Sequence, residues 1–136
     1  MKFDKEAALL KYNQDAEDHK KWVSTINHDL LLDDDGYPTE YALDLIQSWH
    51  FSDPRGWFDF IRGIWYYREW GWSEAEAVDE IFQEKKITAL YVSTAGWSGN
   101  ESIIRAMEKN SMLWFITWAQ SRRGGHYIFE IKDRYE

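Results

Sequence analysis

Nine tryptophans must find places in this chain, and with eight tyrosines and seven phenylalanines they set the terms on which 136 residues can fold. One ring side chain buries about 150–250 Å², so a handful of them fills the interior of a small domain. The length fits a single domain over 1–136, which buries about 68–70% of its unfolded surface and needs no covalent staple. Nine indoles exceed what such an interior takes up. Two or three are therefore expected to line a groove, where a ring can stack on a planar ligand. Cysteine is absent, which removes disulfides and thiolate metal sites and fits a reducing cytoplasm. Met1-Lys2-Phe3-Asp4-Lys5-Glu6 is charged and lacks the apolar run of a signal peptide. The longest stretch without a charge, Ile87 to Asn100, has 14 residues, too few to cross a bilayer as a helix. A cytoplasmic protein without membrane contact is expected.

Charge divides the chain. Residues 1–84 carry 19 acidic and 8 basic side chains, a net −11, whereas residues 85–136 carry 5 acidic and 8 basic, a net +3. The first part repels nucleic acid, so direct binding of a duplex is not expected. The second part tolerates an anionic ligand.

The apolar spacing predicts an α+β domain, mainly helical over 1–84 and strand-helix-hairpin over 85–136. Residues 4–28 read as one or two helices with a break near Asn13, turning Ala7, Leu10, Ala16, Trp22, Val23 and Ile26 inward. Asp33-Asp34-Asp35-Gly36 reads as a turn. Pro38-Thr39-Glu40 opens a helix with Ala42, Leu45, Ile46 and Trp49 inward. Asp53-Pro54 caps the next one, whose stripe is Trp57, Phe58, Ile61, Ile64 and Trp65 and whose end is Gly71. Ser73 and Glu76 have capping-box spacing, predicting a helix over 74–84. Ile87–Ser93 reads as a strand and 102–109 as a helix. Residues 112–120, apolar on both faces, read as a central strand covered on both sides. Arg123-Gly124-Gly125 marks a hairpin, and 126–132 returns as an outer strand with Tyr127, Phe129 and Ile131 on one face. The expected architecture is an N-terminal helical layer on a three-stranded mixed sheet with one crossover helix.

Two segments carry chemistry. In Gly96-Trp97-Ser98-Gly99-Asn100-Glu101 the glycines permit close backbone approach, and the helix start that follows offers free N–H groups and partial positive charge, a cradle for an anion. It is not a P-loop, lacking the Lys-Ser/Thr ending, nor a G-x-S-x-G elbow, because Asn100 replaces the second glycine. A tight capped turn with Trp97 anchored in the core is the structural alternative. In Arg122-Arg123-Gly124-Gly125-His126-Tyr127 two guanidinium groups can clamp phosphate or carboxylate, and the histidine is a candidate proton carrier. A solvated hairpin is the alternative there. If strands 87–93 and 112–120 are parallel neighbours, both segments converge at one end of the sheet, where ligands bind in sheets with crossover connections. His19, His28, His50 and His126 have no metal-ligand spacing, and Asp33–Gly36 lacks the alternating ligands of a calcium loop. No metal or cofactor is expected.

Asp35-Gly36-Tyr37-Pro38-Thr39-Glu40, Trp49, the Ile64-Trp65-Tyr66-Tyr67 stretch before Trp70-Gly71, Gly96-Trp97-Ser98-Gly99-Asn100-Glu101 and Gly124-Gly125-His126-Tyr127 resemble a family of small proteins of bacteriophages and bacterial genomes without an established activity. The resemblance spans residues 33–131. It implies a phage-like or mobile-element setting, hence the host cytoplasm, and it carries no catalytic residue; small phage proteins of this size often act against host defences. The leading expectation is a protein that binds an anionic, nucleotide-derived small molecule, with Trp97, Trp114 or Trp118 stacking on a base and Arg122 and Arg123 holding the charge. An acidic inhibitor of a host protein is a second reading. A small hydrolase using His126 with Glu101 or Ser98 is a third, which no motif demands. A structural component, self-associating through Trp70-Gly71-Trp72, is the fourth.

Overall fold

A computed structural model describes residues 3–83 and 85–132. Each early helix begins where a side chain answers an unpaired N–H. Asp4 accepts from Ala7 N–H (3.1 Å) and starts α1, Lys5–Ser24. Thr39 accepts from Ala42 N–H (3.2 Å) and starts α2, Glu40–Ser48. Asp53, with Pro54 in the first turn, accepts from Gly56 N–H (3.0 Å) and starts α3, Pro54–Ile64. A 3-10 turn, His28–Leu30, and a short α4, Arg68–Gly71, complete the first part. Asp33 is a turn residue: its Oδ1 accepts from the N–H groups of Asp35 and Tyr37, each at 2.9 Å.

The apolar stripes read from α2 and α3 are buried throughout, from Ala42, Leu45, Ile46 and Trp49 to Trp57, Phe58, Ile61, Ile64 and Trp65. The first helix differs from expectation. It runs unbroken past Asn13, and Leu10, read as inward, is 70% exposed. Its buried residue is His19, whose Nε2 lies 3.1 Å from Asp53 Oδ2. Ile26, beyond the helix, is buried, while Trp22 and Val23 pack partly against the core.

The expected three-stranded mixed sheet with one crossover helix is not what forms. The described residues build a four-stranded, fully antiparallel sheet in the order β1-β2-β4-β3, from β1 (Trp72–Val78), β2 (Lys86–Ser93), β3 (Trp118–Arg122) and β4 (His126–Lys132). Between β2 and β3 lie α5, Ser98–Lys109, and α6, Ser111–Thr117.

Three differences from the sequence reading account for the change. Residues 74–83, expected in a helix whose last residue, Glu84, lies outside the described residues, instead give β1 and its turn. Glu-Ala-Glu-Ala favours a helix locally, but it also alternates with period two, and pairing with β2 prevails. Residues 112–117, read as part of a covered strand over 112–120, instead belong to α6, which Asn110 caps by accepting from Leu113 N–H (3.3 Å). Leu113 and Thr117, four apart, then turn inward. Finally, β4 is not outermost. It lies between β2 and β3, pairing Leu90 with Phe129 on one side and Trp118 with Phe129 on the other.

One sheet face carries the core. Leu90, Val92 and Phe129 meet Trp57, Phe58, Ile103, Met107 and Leu113 from the helices. Of the tryptophans, 49, 57, 65 and 72 are buried, 22, 97 and 114 half-buried, and 70 and 118 exposed. No described helix is long and apolar enough to cross a membrane.

The turn joining β1 to β2 is held by Asp79, whose Oδ1 accepts from the N–H groups of Ile81 (2.8 Å) and Phe82 (3.0 Å), while Lys132 Nζ lies 3.0 Å from Oδ2. The Phe82 N–H, then Lys132 and the Ile81 N–H, lower the carboxyl from 3.8 to about 2. A depressed carboxyl contributes stability above its unfolded value and loses it as pH falls through the folded one. Amide protection factors at this turn, corrected for the intrinsic exchange rate, should therefore fall between pH 3.8 and about 2, and Asp79→Asn should flatten that dependence.

Candidate functional site

The two glycine-containing segments meet, although by a different route from the one the sequence suggested. β3 does run in the same direction as β2, but β4 is inserted between them, so the hairpin turn abuts the end of β2 directly. Ser93 pairs with His126, and Ser93 Oγ lies 2.6 Å from His126 Nδ1. Thr94 N–H donates to the Gly125 carbonyl at 3.0 Å. Gly125 has φ +78°, and a β-carbon there would collide with Thr94 Oγ1. Glycine is thus required by the contact between the loops.

Past Thr94 the chain turns through Ala95 (φ +59°) and Gly96 (φ +71°), closing with Trp97 N–H on the Thr94 carbonyl (3.0 Å), and α5 begins. Trp97 is the N-cap and supplies no side-chain hydrogen bond to it. Its indole folds back over Gly99, where a β-carbon would strike the ring. The close approach that Gly99 permits is taken by Trp97. The ring is held between Tyr37 (centroids 4.6 Å) and Tyr66 (4.5 Å). Asn100, fully buried, accepts from Tyr66 N–H (3.0 Å) and donates to the carbonyls of Tyr66 (2.9 Å) and Thr94 (3.4 Å). It fixes the backbone from which Tyr66 projects.

The other residues read as ligand groups are dispersed. Ser98 is exposed and donates to the Tyr37 hydroxyl (3.4 Å). Glu101 occupies the first turn of α5, where the helix dipole favours an acid. His126 bonds Ser93 rather than Ser98 or Glu101. Arg122 donates to Gln120 Oε1 (2.8 Å), and Arg123 is exposed. Tyr127 is half-buried, and burial, followed by the nearby charges of Glu108 and Glu101, raises its hydroxyl above its ordinary value. Trp118 stands apart, at the opposite end of β3 beside Phe129, stacked on Trp114 at 6.2 Å.

The concave surface next to Trp97 involves residues the sequence reading did not single out as a site. The rings continue from Tyr37, Trp97 and Tyr66 to Tyr67 (4.2 Å from Tyr66) and Trp70 (5.6 Å from Tyr67), a ladder of five. Tyr66, Tyr67 and Trp70 are 41%, 44% and 65% exposed. Tyr67 has φ +62°, ψ +36°, a left-handed conformation costing about 1–3 kcal/mol in a residue other than glycine. A hydrogen bond with the Tyr66 side chain raises the Tyr67 hydroxyl, keeping it protonated.

The Tyr66–Tyr67 edge of this ladder borders a groove over the end of α3. One hollow of ≈ 430 Å³ lies between Gly36, Ile64 and Tyr66–Glu69, and a neighbour of ≈ 490 Å³ is lined by Asp59, Arg62, Gly63 and Arg68. Arg68 Nη1 donates to the Gly63 carbonyl (3.2 Å), which orients its guanidinium along the rim. Asp59 is engaged by Arg55 at 3.6 Å. Gly63 is helical, and a β-carbon there would meet nothing within 4 Å. Packing therefore does not require the glycine, although it weakens the helix by about 0.8–1.0 kcal/mol relative to alanine. Its bareness keeps the floor of the groove open. The visible signal was a glycine inside a strongly amphipathic helix, followed by Trp65-Tyr66-Tyr67-Arg68. Among the described residues, no group of three or more histidine, aspartate or glutamate side chains is arranged to hold a metal ion.

No family model matches the chain, and no curated protein or solved structure does either.

Two substitutions test this geometry. Asn100→Ala strands the Tyr66 N–H and two carbonyls, each worth about 1–3 kcal/mol when left unsatisfied, so denaturant unfolding should report a loss of at least about 2 kcal/mol. Gly99→Ala should push Trp97 out from between Tyr37 and Tyr66, read as a red-shifted tryptophan emission in a protein that stays folded.

Proposed function

We propose that this protein binds a planar, anionic small molecule of the nucleotide class in the groove between Tyr66–Tyr67 and the end of α3. The observation that carries this reading is the ring ladder beside a hollow with Arg62 and Arg68 at its rim. A base stacks on such rings with about 1–3 kcal/mol each, and guanidinium groups are suited to phosphate oxygens. The hollows fall within the ~300–1,000 Å³ usual for small-ligand sites. The strained Tyr67 and the bare Gly63 support the same location, since both forgo stability that the fold does not otherwise need forgone.

This moves the ligand from the Arg122–His126 hairpin to the opposite side of Trp97, with Trp97 backing the stack rather than facing the ligand. The residues at the rim hold and orient, and the reading is one of binding rather than turnover. In the phage-like setting implied by the sequence resemblance, a binder of this kind withholds a nucleotide signal from a host receptor.

Thermal unfolding against mononucleotides, dinucleotides and cyclic dinucleotides tests the proposal. A ligand at 100 times its dissociation constant adds about 2.7 kcal/mol, a rise of several degrees for a domain of this size. Gly63→Ala should raise the unfolding temperature of the free protein, whereas Gly63→Leu should fill the groove and abolish the ligand shift. Arg68→Ala should weaken it at least tenfold. A panel without any shift, or a shift that survives Gly63→Leu, would refute the assignment.

A further inference from the structure

The stretch from Asn110 to Ser121 contains no charged residue, yet much of it faces solvent. On α6, Met112, Phe115 and Ile116 are 52%, 82% and 42% exposed, and Trp118, which begins β3, is 44% exposed. Positions i, i+3 and i+4 share one helix face, so the first three form a ridge with Trp118 at its end. The inward face of the same helix is already satisfied by Leu113 and Thr117. Among the described residues, no element covers the outer face.

We propose that this ridge is the contact through which two copies of the chain associate about a two-fold axis. A ring side chain buries about 150–250 Å² when covered; with Phe115 and Trp118 on that scale and Met112 and Ile116 somewhat smaller, the exposed fractions of the four amount to roughly 400 Å² of apolar surface. That is about half of the ~800 Å² that each partner contributes to a standard interface. The exposed neighbours Ala119, Gln120 and Ser121 extend it along β3, an edge strand with one side of its backbone unpaired.

The occupant follows from charge and symmetry. The chain carries −8 overall, so two copies repel across most of their surfaces. The ridge is uncharged and is followed by Arg122 and Arg123, which makes it the side where like molecules approach at least electrostatic cost. A two-fold contact requires a surface complementary to itself. A low, uncharged and largely apolar ridge, whose Trp118 Nε1 is already bonded to Ser121 Oγ at 2.9 Å, meets that requirement, whereas a charged foreign partner gains little from it. Trp118 therefore belongs to an assembly surface and not to the ligand groove.

Sedimentation velocity over a concentration series of the full chain tests this, with Phe115→Asp and Met112→Lys as variants. Both side chains are exposed, and circular dichroism checks that the variants remain folded. The expected result is a wild-type dimer whose dissociation constant rises about 30-fold or more in each variant, as for a residue at the centre of an interface. Three outcomes would overturn the proposal. One is a wild-type chain that stays monomeric throughout, even if it captures another protein. The second is a dimer that both variants leave intact. The third is a dimer disrupted instead by Ile81→Asp, at the exposed β1–β2 turn.

Discussion

A single carbonyl oxygen holds the helical layer together. The Ile46 carbonyl, near the end of α2, accepts from Trp57 Nε1 at 3.0 Å and from Asn110 Nδ2 at 2.9 Å. Both donors are buried. α2 is thereby tied to α3 through an indole and to the start of α6 through an amide. Asn110 also donates to the Trp49 carbonyl (3.0 Å) and uses its own oxygen to cap α6. The carbonyls of a helix end have no partner inside the helix, and burying them unsatisfied costs about 1–3 kcal/mol each. Here that obligation becomes a joint. Because α6 leads directly into β3, the joint also sets where the last two strands enter the sheet.

Tryptophan is suited to this task, with a large apolar body and one N–H at its edge. Trp65 Nε1 reaches the Ser93 carbonyl (3.2 Å), where β2 gives way to the Thr94 loop, and Trp49 Nε1 reaches the Asp53 carbonyl (3.1 Å) ahead of α3. With Trp57, these rings fill the core and also answer backbone groups at its margins. Trp70 and Trp118 remain outside, so their surface exposure calls for a functional account. The two belong to separate features, one extending the ring ladder and the other the apolar ridge.

Local signals were legible in the sequence and long-range ones were not. Asp53 caps the helix it was expected to cap, the helix expected to open at Pro38-Thr39-Glu40 does start there with Thr39 as its cap, and the stripes of both are buried. These features depend on neighbours three or four residues away. The Ser73–Val78 stretch has helical composition and became a strand because of β2, which follows only after a turn. Residues 112–117, read as part of a central strand, became a helix, and the decision rested on Asn110 and its distant partners. The glycine segments were expected to converge through parallel neighbouring strands, whereas β4 lies between β2 and β3 and its turn touches the Ser93–Thr94 end of β2. Packing uses the same residue types as binding: Asn100 bonds Tyr66, and the close approach at Gly99 is taken by the Trp97 ring. The groove had no motif to announce it, because Gly36, Gly63 and Arg68 become neighbours only once the helices pack.

The interior position of β4 has a consequence for how the chain reaches its native state. β2 completes its pairing only when Ile87 meets Lys132 and Ser93 meets His126, at sequence separations of 45 and 33. Until then its edge, with Leu90 and Val92, stays open to any other strand, a situation that promotes intermolecular pairing during synthesis and refolding. The hairpin of β3 and β4 is local and can form early, but it must then insert as a unit beside β2. Such non-local closure slows folding relative to a helical protein of equal size. The fold is thus committed late, when the second half of the hairpin is available.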